Sequence, residues 1–214
     1  MSPEHLRGPL ATMSALGLLV ISVSPLTGGG SAVADQSLTT AAAPVAKPSG
    51  PVASAPLIRY GCLWEGRLTR SGLPNGGEGR AGWLWLRERG VVSIVTLRRK
   101  NDIDYSRFGF KYLLRIPLED TDTPTEQEVQ EFLGFITNPA HWPVHIHCAQ
   151  GKDRTGLMAA LTRYAVDGWP LERALEEARL YSGKSLVKKH VAWLRDWAGK
   201  HEPGSYQVAP GRGK

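Results

Sequence analysis

The segment over residues 143–166 constrains the fold of this 214-residue chain more than any other. A short apolar run over 143–147 predicts a buried strand, and the apolar spacing over 155–166 predicts a helix. Cys148 and Arg154 lie in the short loop between them. A buried strand that leads through a short loop into a helix is typical of parallel α/β sheets, which bind ligands beyond the carboxyl ends of their strands.

Strand and helix patterns alternate around this segment. Continuous apolar and β-branched runs predict strands over 91–97 and 111–116, and Pro117 is expected to end the second. A hairpin is expected over 64–72. Apolar residues at helical spacing predict four more helices, over 78–89, 125–136, 171–181 and 185–198. The alternation predicts an α/β domain with a central, mainly parallel sheet flanked by helices.

The N-terminal segment has the composition of a targeting sequence. An uncharged run over 10–26 follows Arg7 and precedes an A-x-A pattern that ends at Ala34. This order predicts a secretory signal peptide over residues 1–34, and an exported protein, either periplasmic or secreted. An uncleaved membrane anchor is the alternative, although the run is shorter than the about 20 residues that span a membrane.

The segments on either side of the predicted domain lack a hydrophobic period. Residues 35–56 are rich in Ala, Thr, Ser and Pro and are predicted to form a flexible linker. Residues 201–214 are predicted to be a disordered tail. The folded domain is therefore expected over residues 57–200.

The formal net charge of +6 favours anionic partners such as phosphate esters and acidic lipid surfaces. The basic residues form no long run and no aromatic RNA-binding signature accompanies them, so nucleic acid is not an expected partner. A membrane surface stays open as a partner. His141, His145 and His147 alternate near a strand but lack the further ligands of a zinc site, so no metal is expected.

The loop from Cys148 to Arg154 contains what an anion-binding catalytic site requires. Its backbone N–H groups can converge as a nest, at which the positive N-terminus of the following helix also points. Gly151 permits close backbone approach, and Arg154 offers a planar fork that matches two phosphate oxygens. The same positive charges favour the thiolate form of Cys148, the predicted nucleophile. The residues predicted to bind the phosphate are Ala149, Gln150, Gly151, Lys152, Asp153 and Arg154.

Two residues beside the loop have supporting roles in this interpretation. His147 is expected to orient the loop through its ring nitrogens rather than to act as a base. Thr155 is expected to hydrogen-bond the sulfur of Cys148 and to help it leave in a second step. The proposed chemistry needs no metal and no cofactor.

The motif His-Cys-x-x-Gly-x-x-Arg-Thr-Gly is complete over residues 147–156. It resembles the signature of cysteine-dependent protein phosphatases, and the chain resembles the dual-specificity and tyrosine phosphatase superfamily, in its compact bacterial form, over about residues 60–194. The resemblance implies a protein-tyrosine-phosphatase-like fold. It also implies a phosphatase catalytic domain over 57–200 that hydrolyses phosphomonoesters through a cysteinyl-phosphate intermediate.

The resemblance further implies a general acid, an aspartate on a loop roughly thirty residues before the cysteine. Asp120 lies 28 positions before Cys148 and follows a strand and a proline. Asp120 is therefore the predicted acid, with Asp122 second and Glu119 third. Spacing leaves Asp120 and Asp122 both open, and the acids also suit the N-terminus of the following helix.

The Gly-Lys-Asp-Arg core over residues 151–154 resembles bacterial tyrosine phosphatases that also act on phosphoinositides. The predicted substrate is a phosphorylated protein, and a phosphoinositide or inositol phosphate is the alternative. In that alternative Lys152 meets a second phosphate, but it can equally face solvent or pair with Asp153. A phosphate- or lipid-binding module without turnover is the alternative of another class, and the intact nucleophile, arginine and acid argue against it.

The chain has two cysteines, Cys62 and Cys148, too few for a disulfide framework. A reactive thiol in an oxidising compartment is prone to oxidation. A reversible Cys62–Cys148 bridge that protects the nucleophile is therefore a hypothesis, which rests on the cysteine count alone.

Overall fold

In the computed structural model, which describes residues 48–74 and 80–206, five strands form one sheet. In chain order they are β1 (Gly61–Trp64), β2 (Leu68–Ser71), β3 (Ser93–Arg98), β4 (Tyr112–Leu118) and β5 (Val144–His147). Their spatial order is β1-β2-β5-β3-β4, in which β1 and β2 form an antiparallel hairpin and the other neighbours run parallel. The predicted α/β class, the mainly parallel sheet and the opening hairpin are confirmed.

Helices cover both faces of this sheet. They are α1 (Ala81–Glu88), α2 (Glu126–Thr137), α3 (Asp153–Ala165), α4 (Leu171–Ser182) and α5 (Lys188–Ala198). Helices α2 to α5 enclose the larger core on one face, and α1 covers the other face together with a 3-10 turn at Tyr105–Phe108. Successive side chains of β3 point to opposite faces of the sheet. Ile94 therefore packs in the core beneath α1, and Val95 packs in the larger core.

The elements lie close to their predicted positions, with one informative difference at Pro117. The prediction that Pro117 ends its strand is wrong, because β4 continues through it to Leu118. Among the strands that the structure describes, β4 is at the edge of the sheet and pairs with β3 alone, where the register shifts between Thr96 and Arg98. A proline has no N–H to donate, and an edge strand beside such an irregularity tolerates that loss.

Parts of the predicted linker and tail pack on the domain. Within residues 48–56, the Val52 N–H donates to the Tyr60 carbonyl at 2.8 Å. Within residues 201–206, the Tyr206 N–H donates at 2.9 Å to the carbonyl of the last residue of α3. The folded part of the chain therefore extends beyond the predicted boundaries at both ends.

The predicted signal peptide over residues 1–34, the first part of the linker and the end of the tail lie outside the described residues. Across the part of the chain that is described, no helix combines the length and the apolar character needed to cross a membrane.

A buried ion pair joins α3 to α4. Arg163 Nε and Nη2 each donate to a carboxylate oxygen of Glu177 at 2.9 Å. Its Nη1 reaches the carbonyl of Leu63 on β1 and the carboxylate of Asp167. The side chains of Arg163 and Glu177 are only 9% and 3% exposed, so the loss of one partner would leave the other charged in the interior.

We expect Glu177→Leu to lower the free energy of unfolding by about 3–5 kcal/mol, because Arg163 then stays buried without its main partner. The double variant Arg163→Met/Glu177→Leu should recover part of this loss. Arg195→Ala is the matched control, since it removes an exposed pair with Glu172 and should cost less than about 1 kcal/mol. Urea unfolding followed by circular dichroism measures all three. A loss in Glu177→Leu no larger than in Arg195→Ala would contradict the expectation.

Candidate active site

Cys148 directly follows β5 and lies at the carboxyl edge of the parallel strands. Cys148 is 2% exposed, and its Sγ accepts a hydrogen bond from the Gly151 backbone N–H at 3.1 Å. A loop amide that points back at the sulfur is what a nest of converging N–H groups provides. The sulfur therefore lies at the base of the loop predicted to bind the anion.

Successive carbonyls of this loop point outward because each binds a different donor. The Cys148 carbonyl binds His147 Nδ1 at 3.1 Å, and the Ala149 carbonyl accepts the Leu73 N–H at 3.0 Å. The Gln150 carbonyl accepts from Arg59 Nη1 at 3.1 Å, and the Gly151 carbonyl accepts from Arg70 Nη2 at 2.6 Å. In a planar trans peptide, the carbonyl of one residue and the N–H of the next point in opposite directions. The N–H groups of residues 149–152 therefore point into the loop.

His147 binds the first of these carbonyls as a neutral ring. Its Nδ1 faces the Cys148 carbonyl, and its Nε2 lies 3.1 Å from the Tyr105 hydroxyl. Burial lowers the pKa of His147 to about 3. A carbonyl oxygen only accepts, so Nδ1 carries the proton and Nε2 accepts from Tyr105. This is the arrangement that the predicted orienting role requires.

Arg70 is a site residue that the sequence patterns did not single out. It lies on β2, is 1% exposed, and its guanidinium carbon is 4.0 Å from the centre of the Tyr181 ring. Burial lowers the pKa of Arg70 to about 10, so it stays charged at neutral pH. Its Nε and Nη1 have no hydrogen-bond partner among the described residues. Burial of a cation costs free energy, so an arginine at a core-facing strand position is unusual. That position was the sequence signal that could have indicated a functional role for Arg70.

Arg59 was not predicted either. It has a φ of 54°, in the left-handed region that non-glycine residues rarely adopt. This conformation accompanies the contact of its guanidinium with the Gln150 carbonyl, while the neighbouring Ile58 carbonyl accepts the Gly72 N–H at 2.8 Å. The segment before β1 thus supports the loop from outside, which no local pattern indicates.

Arg154 is the second residue of α3 and is directed toward the loop that follows β4. Its Nη1 donates to the Leu118 carbonyl at 3.0 Å, and its Nη2 lies 2.7 Å from Asp120 Oδ1. The Arg154 side chain is 10% exposed, whereas that of Asp120 is 86% exposed. The structure therefore brings together the predicted phosphate-binding arginine and the first of the three candidate acids.

The other two candidate acids have different partners. Asp122 Oδ2 accepts a hydrogen bond from the Glu119 N–H at 3.0 Å and so closes a turn. The Glu119 carboxylate pairs with Arg99 at 3.0 Å. Of the acids that spacing left open, the geometry favours Asp120.

The remaining predicted residues are less directly engaged. Asp153 does not pair with Lys152, because its Oδ1 accepts from the Val187 N–H at 3.3 Å. The Lys152 side chain is partly exposed and forms no ion pair with any residue the structure describes. The Thr155 hydroxyl is buried without a hydrogen-bond partner in the described part of the chain, so it does not bind the Cys148 sulfur in this structure.

Cys62 cannot bridge to Cys148 in this fold. Both thiols are free, and β2 lies between the strand that carries Cys62 and the one that leads to Cys148. Neighbouring strands are about 4.8 Å apart, so two spacings separate the cysteines by at least about 9 Å. A disulfide requires Cα atoms within about 7 Å. The hypothesis of a protective bridge is therefore wrong for this structure.

The other histidines near β5 bind protein groups. His145 lies 2.9 Å from the hydroxyls of both Thr69 and Ser71, and His141 Nδ1 lies 3.0 Å from the Phe135 carbonyl. Burial lowers the pKa of His145 well below its usual value. No cluster of three or more His, Cys, Asp or Glu side chains suited to a metal ion occurs within residues 48–74 and 80–206.

Comparison with known proteins assigns these residues to a family. The model of the family described as DSP-PTPase phosphatase fused to NAD+ kinase matches residues 70–196. The dual specificity protein phosphatase TpbA of Pseudomonas aeruginosa is 54% identical over 35 residues, which are 16% of this chain and 16% of that protein. The match thus spans only a small part of the length of this relative.

Solved structures share the fold. The crystal structure of P. aeruginosa TpbA has a TM-score of 0.57 at 24% identity and covers 70% of this chain and 90% of its own. The core catalytic domain of the PP-IP phosphatase SIW14 from S. cerevisiae, in complex with citrate, has a TM-score of 0.53 at 21% identity. That comparison covers 66% of this chain and 91% of the other.

We expect Gly151→Ala to displace the loop, because Gly151 has a φ of 69° and a Cβ there would lie 2.4 Å from the Gly72 nitrogen. Since a displacement of about 1 Å can cost 10²-fold in function, the affinity for tungstate, a phosphate mimic, should fall by at least about tenfold. Gly90→Ala is the control, since Gly90 has a φ of 78° but open space around it. Calorimetric titration measures both, and an unchanged affinity in Gly151→Ala would contradict the expectation.

Proposed function

We infer, since this chain belongs to the family of DSP-PTPase phosphatases fused to NAD+ kinase, that it is a phosphomonoester hydrolase acting on phosphotyrosine and other phosphorylated side chains of proteins. One observation carries the proposal. The Cys148 sulfur and the N–H groups of residues 149–152 converge in one loop, and Arg154 contacts Asp120 beside it.

In the first step, the Cys148 thiolate attacks phosphorus. The S–P bond forms while the P–O bond to the leaving group breaks, and Asp120 in its acid form donates a proton to the departing oxygen. The inward N–H groups of residues 149–152 and the Arg154 guanidinium stabilise the charge on the three equatorial oxygens. These donors must point at the phosphate before the reaction begins. The hydrogen bonds that hold the loop carbonyls outward keep the N–H groups in that orientation.

In the second step, water attacks the cysteinyl phosphate. The Asp120 carboxylate accepts the proton of this water, and the S–P bond breaks to release inorganic phosphate and the Cys148 thiolate. The Thr155 hydroxyl, which has no partner among the described residues, donates to the departing sulfur in this proposal.

Substrate binding also frees the acid in this proposal. Arg154 uses one Nη to contact Asp120 and the other to contact the Leu118 carbonyl. A phosphate dianion accepts paired hydrogen bonds from a guanidinium and competes with the single carboxylate oxygen for this fork. Asp120 then leaves the guanidinium and turns to the leaving group.

Phosphoinositides or inositol phosphates are the second candidate substrate class. Lys152 favours them, because it is a half-buried residue of the loop itself and forms no ion pair with any other described residue. An ammonium group at this point suits a second phosphate of a polyphosphorylated ring. A phosphate-binding module without turnover is a candidate function of a different class. The contact between Arg154 and Asp120 argues against it, because a module that only binds phosphate needs no acid at this position.

We expect purified protein to release phosphate from p-nitrophenyl phosphate and phosphotyrosine peptides under reducing conditions without added metal. Cys148→Ser should abolish release, and Asp120→Asn should lower it by about 10²–10⁴-fold, the usual contribution of a general acid. Glu119→Gln is the matched control, because its carboxylate faces Arg99, and should stay close to wild type.

The same assay separates the candidate functions through its substrates, which include phosphoserine peptides, phosphoinositides and inositol phosphates. Faster release from the last two, reduced by Lys152→Ala, would favour the second substrate class. No release from any substrate, with phosphate ligands still bound, would favour the binding module and overturn the proposal.

We also propose that the protein is exported through its N-terminal segment. The support is the uncharged run over residues 10–26 and the A-x-A pattern that ends at Ala34, all of it outside the described residues. Cell fractionation and N-terminal sequencing of the full chain should find an exported protein that begins at Asp35. A chain that keeps Met1 in the membrane fraction would instead support the anchor, and one that keeps Met1 in the cytosol would contradict both.

A further inference from the structure

His190 on α5 is a buried histidine that the proposed mechanism does not use. It is 0% exposed, and its Nε2 lies 2.8 Å from the carbonyl oxygen of Asp122. Because a carbonyl oxygen only accepts, Nε2 carries the proton. Burial lowers the pKa of His190, so the ring is neutral at neutral pH. Its Nδ1 is buried with no hydrogen-bond partner among the described residues, a cost that calls for a compensating role.

The carbonyl that His190 binds belongs to the turn that carries the acid. This turn covers residues 119–122, and two hydrogen bonds join its first and last residues. The Glu119 N–H donates to Asp122 Oδ2 at 3.0 Å, and the Asp122 N–H donates to the Glu119 carbonyl at 3.2 Å. Asp120 lies between them. A hydrogen bond that fixes the Asp122 backbone therefore also fixes the position from which Asp120 projects.

Helix α5 is in turn anchored to the start of α3. Asp153, the first residue of α3, accepts a hydrogen bond from the Val187 N–H at the N-cap of α5. The next residue of α3 is Arg154. Helix α5 thus joins the phosphate-binding loop, through Asp153, to the turn of the acid, through His190.

We propose that His190 is a positioning residue, which holds the turn over residues 119–122 where Asp120 can reach the leaving group. The proposal rests on the proposed function. A general acid acts only within about 3 Å of the oxygen that it protonates. Asp120 is largely exposed, and the turn needs a fixed point on the protein interior, which His190 supplies from α5.

The kinetic test compares two aryl phosphates that differ in their need for the acid. His190→Leu, which removes the donor, should lower kcat/KM for phenyl phosphate by about tenfold. For 2,4-dinitrophenyl phosphate, whose leaving group needs little protonation, the loss should stay below about threefold. His190→Gln, which keeps an N–H donor, should restore most of the activity. Leu194→Ala, a buried change elsewhere on α5, should lower stability but leave the ratio of the two substrates unchanged.

A double-mutant cycle gives the deciding outcome. In an Asp120→Asn background, His190→Leu should cause no further loss on phenyl phosphate, because the acid that it positions is already gone. A further tenfold loss in that background, or equal losses on both aryl phosphates, would overturn the proposal.

Hydrogen exchange separates failure of this proposal from failure of the proposed function. The backbone N–H groups of Glu119 and Asp122 should exchange faster in His190→Leu than in wild type. In Leu194→Ala their exchange rates should equal those of wild type. A wild-type protein without turnover would overturn the proposed function alone, and exchange would then decide whether His190 holds the turn. Unchanged exchange in His190→Leu would overturn the positioning role.

Discussion

The outward orientation of the carbonyls of residues 148–151 is the constraint on which the rest of the site depends. Each carbonyl has its own donor, so each following N–H must point inward toward the anion site. The Gly151 N–H already reaches the Cys148 sulfur. These donors come from β2 and the segment just after it, from the segment before β1 and from the end of β5. The sheet edge therefore sets the shape of the loop together with Gly151, whose φ of 69° suits a glycine.

This support requires polar groups to be buried at a cost. His147 is kept neutral under the loop, and Arg70 is kept charged with two nitrogens unbound by any described residue. Isolated buried polar groups destabilise a fold, so the cost must be offset by the apolar cores on the two faces of the sheet. The proposed acid, Asp120, is held in a similar way. Arg154 binds the carbonyl of Leu118, two residues before it, and His190 binds the carbonyl of Asp122, two residues after it.

The fold class and most elements could be predicted because their signals are local. Apolar runs and helical spacing mark the strands and helices wherever they come to pack. The errors came where the position in the sheet decided the outcome. Pro117 is tolerated inside β4 because that strand is at the edge, and Cys62 cannot reach Cys148 because β2 lies between them. Strand order is a property of the whole domain, which no local pattern contains.

The sequence by itself determined the position of the loop and, within it, the proposed nucleophile Cys148 and the proposed phosphate-binding residue Arg154, since a strand, a short loop and a helix are adjacent in the chain. Only the tertiary structure decided that Asp120 rather than Asp122 meets Arg154, that Arg70 binds the Gly151 carbonyl and that His190 binds the Asp122 carbonyl. The physical reason is distance along the chain. These hydrogen bonds join residues that are dozens of positions apart, and the partners meet only once the parallel strands align their carboxyl ends at one edge.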